Sequence, residues 1–176
     1  SAASDVYKRQ VLIKMNLKSV EILNHLSKCM DLNYNIISEE QWNIEYEAMD
    51  LKLNHTFCKS RLAKKTPKKS GYFVTLWIKD KTHINQPFDY QNFPEKLIVN
   101  VIDNDKRGQF VFSKDLLLKK GILSHDEKKG KMAFRVYPVW ETNLNTTALK
   151  TQKWQCNYFI DLTKNIKKEL VLSLYE

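Results

Sequence analysis

The stretch Gly71-Tyr72-Phe73-Val74-Thr75-Leu76-Trp77-Ile78 constrains the fold more than any other part of the chain. Its aromatic and β-branched content reads as a strand. It follows, after Ser70, the segment Lys59–Lys69, Lys-Ser-Arg-Leu-Ala-Lys-Lys-Thr-Pro-Lys-Lys, which holds six cations and no acid. A disordered basic tail would not be joined so directly to a strand, so these cations are expected on the ends and turns of a sheet. Fixed there, they can hold a polyanion such as a phosphate backbone. A solvated lysine-rich loop is the alternative reading.

The chain has 176 residues, enough for one domain that buries roughly 70% of its unfolded surface. The formal charge is +9, and of its 29 cations only Arg9, Arg61, Arg107 and Arg135 are arginines. Lysine is a hydrated point charge and arginine a bidentate fork. The balance therefore favours general attraction to anions over base-specific readout. Cys29, Cys58 and Cys156 are odd in number, widely spaced and without a Cys-x-x-Cys. That argues against a disulfide framework or a zinc site and fits a reduced, cytoplasmic compartment. No apolar run approaches the ~18 residues that span a bilayer, so no membrane partner is expected. The N-terminus lacks the apolar region of a signal peptide. Residues 1–10, Ser-Ala-Ala-Ser-Asp-Val-Tyr-Lys-Arg-Gln, look like a translated cloning adapter. The first 14 residues are set aside as a leader, with Met15 as the expected start and 15–176 as a single domain.

Ile22, Leu23, Leu26 and Met30 fall on one face of a helix that Ser19 is expected to cap. Residues 33–43 read as a polar connection. Two strands are predicted over 44–53 and 56–63, with Asn54-His55 as their turn. A third strand is predicted over Tyr72–Lys79. Leu97–Ile102 is a nearly all-apolar run, as in a central strand buried on both faces. Strands at Gln109–Phe112 and Met132–Tyr137 follow, separated by a short helix that Ser113 caps and Gly121 ends. A helix is predicted from Thr146 or Thr147 to about Leu162, and a weaker segment over Ile166–Leu174. Together these give an α/β fold, a central mixed sheet flanked by helices.

Catalytic signals are poor. His25, His55, His83 and His125 share no metal-ligand spacing, and four glycines leave no Gly-rich phosphate loop. A metal nuclease wants an acid, one spacer and a lysine on a strand, the acid holding metal and the lysine steadying water or phosphate. Three matches occur, Asp50-Leu51-Lys52, Asp126–Lys128 and Glu127–Lys129, of which only the first lies in a predicted strand, with Glu45 and Glu47 as supplementary carboxylates. About three such matches are expected by chance in a chain of this composition. On the Tyr72–Lys79 strand Trp77 stands where Lys79 would need an acid. No metal or cofactor is expected. The binding signal is better. Lys59 and Arg61 share a strand face, as do Phe73, Trp77 and Lys79, and Arg135 and Tyr137. Phosphate contacts combined with stacking on aromatics use such a surface. The alternatives are core roles for Trp77, Trp140 and Trp154, and a buried Arg135 paired with a carboxylate such as Glu47.

The segment Arg61–Trp77, Arg-Leu-Ala-Lys-Lys-Thr-Pro-Lys-Lys-Ser-Gly-Tyr-Phe-Val-Thr-Leu-Trp, resembles the signature block of the MepB-like proteins. Further blocks agree in order: Gly108–Phe112, Lys119–Leu123, Ala133–Trp140 and Thr151–Gln155. The resemblance implies a bacterial protein with a restriction-endonuclease-like α/β core and nucleic-acid binding as its activity. The acid missing before Lys79 departs from the nuclease pattern. Residues and resemblance together give the expectation of a nucleic-acid-binding protein, DNA rather than RNA, that does not cleave. Arg61, Lys64, Lys65, Lys68, Lys69 and Arg135 would hold phosphates, with Trp77 stacking or supporting the sheet. The alternatives are a divergent metal nuclease using Glu47, Asp50 and Lys52, and an interaction or small-molecule-binding protein linked to drug response.

Overall fold

The architecture follows from two strand faces that both need cover. In β8 (Lys96–Asp103), Leu97, Val99 and Val101 point to one side and Ile98 to the other, and all four are buried. A computed structural model, which describes residues 1–6, 8 and 16–176, shows what covers each side. Much of the expected leader, residues 7 and 9–14, and the expected start at Met15 lie outside the described residues.

β8 is central in a six-stranded sheet of order β1-β2-β3-β8-β9-β11. The other members are β1 (Tyr34–Glu39), β2 (Met49–Leu53), β3 (Thr56–Leu62), β9 (Lys106–Ser113) and β11 (Phe159–Asp161). Within this sheet β3 and β8 run parallel and the other neighbours antiparallel, so it is mixed. On one face lie α1 (Lys18–Met30) and α4 (Lys168–Tyr175), packing Leu23, Leu26, Val171 and Tyr175 onto Met49, Leu51, Ile98 and Val111. On the other lies a three-stranded sheet of order β10-β5-β4, made of β4 (Lys64–Thr66), β5 (Lys69–Thr75) and β10 (Ala133–Val136). It presses Tyr72, Val74 and Val136 onto Leu97, Val99, Phe110 and Phe112. A hairpin, β6 (Trp77–Lys79) with β7 (Asn85–Pro87), extends β5. Helices α2 (Lys114–Lys119) and α3 (Thr146–Gln155) close the second layer, with Leu117 and Trp154 against the same core. This is a single α/β domain, as the residue pattern predicts.

A buried polar chain ties α4 to the sheet. The Tyr175 hydroxyl donates to Gln109, whose amide donates to Asn100 at 2.8 Å, and Asn100 donates to Ser60 Oγ at 3.0 Å. These groups have lost water, and only the complete chain satisfies them.

Several boundaries differ from the sequence reading. Ser113 accepts from the Leu116 amide and caps α2, as expected, and Gly121 follows with φ of +69°. Ser19 instead lies inside α1, buried, and the cap comes from Glu47, whose carboxylate accepts from the Lys18 and Ser19 amides at 2.9 and 2.8 Å and from the Ser19 hydroxyl. Residues 34–39, read as a connection, form the edge strand β1, its polar exposed face hiding the strand pattern. Residues 44–46 form a 3₁₀ turn, so the strand predicted from 44 begins at Met49. The helix predicted to Leu162 stops at Gln155, because pairing of Phe159 and Ile160 with β9 overrides their helical spacing. No helix among the described residues is long and apolar enough to cross a membrane.

Candidate functional site

The basic segment is a hairpin, and strand alternation sorts its cations. β4 and β5 turn at Pro67-Lys68, with Thr66 opposite Lys69. Lys64, Phe73 and Arg135 occupy one register across β4, β5 and β10, and so share the outer face of the small sheet. Lys65, Tyr72 and Val136 occupy the next register and share the inner face. Lys65 reaches Asp103 at 3.0 Å, and Asp103 also accepts from Tyr72 at 2.7 Å. Those two donors hold the Asp103 carboxyl below the usual range, and the same bond raises the Lys65 ammonium. Lys65, expected among the phosphate contacts, therefore sits on the other face and is already paired.

Arg61 departs furthest from the expectation. It is fully buried between the two sheets, 0% exposed. Its Nη2 donates to Glu40 at 2.5 Å, its Nε to the Thr75 carbonyl at 3.1 Å and its Nη1 to the Ser60 carbonyl at 3.0 Å. Glu40 and Asp50 both accept from Lys59. Burial draws the guanidinium pKa down while Glu40 draws it up. The Arg–carboxylate pairing considered for Arg135 thus belongs to Arg61. Glu40 lies in the segment read as a loop, and no spacing linked it to Arg61.

Arg135 is half-buried and held without a carboxylate among the described residues. Nη1 donates to the Ser70 and Gly71 carbonyls at 3.1 and 3.4 Å, Nη2 donates to Thr66 Oγ1, and the guanidinium lies 5.7 Å from the Phe73 ring centre. Gln155, fully buried, accepts from the Tyr137 amide and donates to the Arg135 carbonyl, fixing that strand end. Gly71 adjoins it with φ of +77°, and a Cβ there would stand 2.6 Å from the Tyr137 ring. Only glycine permits this approach.

Two clefts meet at Arg135 and Tyr137. One, of about 440 Å³, is lined by Lys68, Lys69, Ser70, Asn143, Asn145 and Thr147 beside them. The other, of about 320 Å³, adds Lys120, Lys131, Phe134 and Trp154. Neither lining includes a carboxylate. Nothing in the sequence joins Lys120 or Lys131 to Arg135. Further along the outer face Lys64 lies over Tyr46, and Tyr46 meets Phe73 edge-on at 6.1 Å. Trp77 stacks on Trp42 at 6.2 Å with Lys79 over both rings. Asn43, donating to the Trp77 carbonyl, holds that segment in place. Of the expected residues, then, Lys68, Lys69 and Arg135 come together in the clefts. Lys64 and Trp77 lie on the outer face, and Arg61 and Lys65 do not join them.

The residues weighed for metal chemistry do not converge. Glu47 caps α1, Asp50 accepts from Lys59, and Lys52 lies 5.1 Å from the Phe57 ring. Among the described residues no group of three or more His, Cys, Asp or Glu side chains is placed to hold a metal ion.

The MepB-like family profile matches residues 40–161. The chain belongs to the MepB-like family. It is similar to a solved crystal structure of MepB, with 46% identity, a TM-score of 0.74, and coverage of 85% of this chain and 99% of that one. No curated protein matches it. The matched region contains the basic hairpin, Arg135 and both clefts, so they belong to the body of the family domain.

Proposed function

We propose that this protein binds nucleic acid, DNA in preference to RNA, through the clefts that meet at Arg135, and does not cleave it. The observation that carries the reading is the junction itself: Lys68, Lys69 and Arg135 line one concavity whose lining, among the described residues, includes no carboxylate. Four or more cations on one surface release counterions from a phosphate backbone, an effect that needs no base contact. Arg135 suits the centre because its guanidinium is oriented by carbonyls and a hydroxyl, leaving its full charge for an anion. Binding without cleavage is supported by the separate engagements of Glu47, Asp50 and Lys52. The restriction-endonuclease-like relationship and a cytoplasmic location belong to the same proposal.

The test is a salt titration of DNA and RNA binding. Three to five engaged phosphates give a slope of roughly −2.7 to −4.5 in log K against log salt on duplex DNA. Lys68→Ala shallows it by about one unit and weakens all sequences alike. Incubation with Mg²⁺ or Mn²⁺ leaves the DNA intact. A parent chain that binds no polynucleotide at low salt overturns the reading in favour of an interaction protein. Metal-dependent cleavage abolished by Asp50→Ala restores the nuclease.

A further inference from the structure

The two clefts that share Arg135 are not alike. The Lys68–Lys69 side is floored by small polar groups, Ser70, Asn143, Asn145 and Thr147. The other side is lined by the aromatics Phe134, Tyr137 and Trp154 together with Lys120, Lys131 and Arg135. Trp154 is backed by Phe112 at 5.6 Å, and the Lys120 ammonium lies 4.8 Å from its ring centre. Gln155 holds the wall rigid through its paired bonds to residues 135 and 137. A hollow lined by both aromatics and cations complements a flat π-system that carries its own anion.

Resting on the nucleic-acid reading above, we infer that this second cleft takes an unpaired base with its phosphate, so that the preferred ligand is single-stranded nucleic acid. A duplex keeps its bases stacked inside and offers only phosphate ridges to such a hollow. A single strand can turn one base in, with its phosphate on Lys131 and Arg135 and the next phosphates crossing to Lys68 and Lys69. Every base has a π-face, so such a seat is sequence-tolerant. Lys120, now over Trp154, is positioned to pass its ammonium to the incoming phosphate as the base covers the ring.

The experiment compares the parent with Lys131→Ala, Trp154→Leu and Lys68→Ala. The ligands are oligo(dT) and oligo(U) of about 12 nucleotides and a duplex of equal length. Lys131 is exposed, so its removal leaves the fold intact. Expected results are at least tenfold tighter binding of single strands than of duplex, and a salt slope on oligo(dT) shallower by about 0.7 in Lys131→Ala. Trp154→Leu weakens single-strand binding on the order of tenfold and spares duplex binding. The oligo(U) arm reports whether the 2′-hydroxyl matters to the seat. If Lys68→Ala weakens binding while Lys131→Ala and Trp154→Leu do not, the base seat is overturned and the phosphate cleft stands. Equal affinity for duplex and single strand also overturns it. A parent that binds neither removes both readings.

Discussion

Replacing Glu40 by Gln asks whether Arg61 is a structural charge. The substitution keeps the shape and removes the anion facing a guanidinium with no exposure to solvent. Lys59 keeps Asp50 at 2.8 Å, so the loss falls on Arg61, which retains two backbone carbonyls and a neutral amide. Breaking a buried pair by removing one member costs about 3–5 kcal/mol. With a urea dependence of about 2 kcal/mol per molar, the midpoint falls by roughly 1.5–2.5 M. Arg61→Met strands Glu40 more mildly, since that carboxylate is 10% exposed and still accepts from Lys59. Removing both charges, Glu40→Leu with Arg61→Met, recovers most of the loss, because apolar packing often replaces a buried pair without penalty. Urea unfolding followed by far-UV circular dichroism measures all three variants. The salt slope of DNA binding for folded Arg61→Met equals that of the parent, since no cleft charge is removed. A midpoint for Glu40→Gln within about 0.3 M of the parent, or a shallower salt slope in Arg61→Met, refutes the assignment of Arg61 to the interior.

Tyr175→Phe leaves the Gln109 carbonyl oxygen without its donor and destabilises the fold by about 1–3 kcal/mol, read by the same urea curves. Burial holds the Tyr175 phenol well above its ordinary pKa, so its ultraviolet ionisation appears only on unfolding. The Asp80 carboxylate accepts from the Thr82 hydroxyl and amide, the Ile84 amide and the Gln86 amide, which lower its pKa from 3.8 to about 2. Its contribution to the β6–β7 hairpin is therefore present above pH 3.8 and lost as pH falls through about 2. Carbon-13 titration of the carboxyl resonance locates that step, and Asp80→Asn abolishes the hairpin's pH dependence in this range.

The strands were legible where one face is apolar or both are. Leu97–Ile102 and Tyr72–Thr75 name themselves as β8 and β5 because their side chains meet cores, whereas the strand predicted on to Lys79 breaks at Leu76 and resumes as β6 in another sheet. β1 was not, because its edge position leaves Asn35, Ile37 and Ser38 exposed and no alternation survives. The cations show the same division. That Lys64 and Lys65 face opposite ways follows from strand alternation once β4 is known, but the sequence did not say that a strand begins there. Arg61 looked like its neighbours because burial is a tertiary property: it depends on Glu40, 21 residues away and brought close by β1 and β2. Lys120 and Lys131 reach the cleft through α2 and the loop after it, contacts that no local pattern encodes.

The capping of α1 by Glu47 has a consequence for how the chain assembles. A helix of 13 residues is marginal alone in water, and this one carries its own acceptor nowhere near its start. The first turn is completed only when the 3₁₀ turn at Ile44–Tyr46 delivers a carboxylate from 28 residues downstream. We predict that helix α1 and the β1–β2 hairpin open as one cooperative unit. The Lys18 and Ser19 amides become reporters of that unit: their hydrogen exchange tracks opening of the hairpin, not fraying of the helix end.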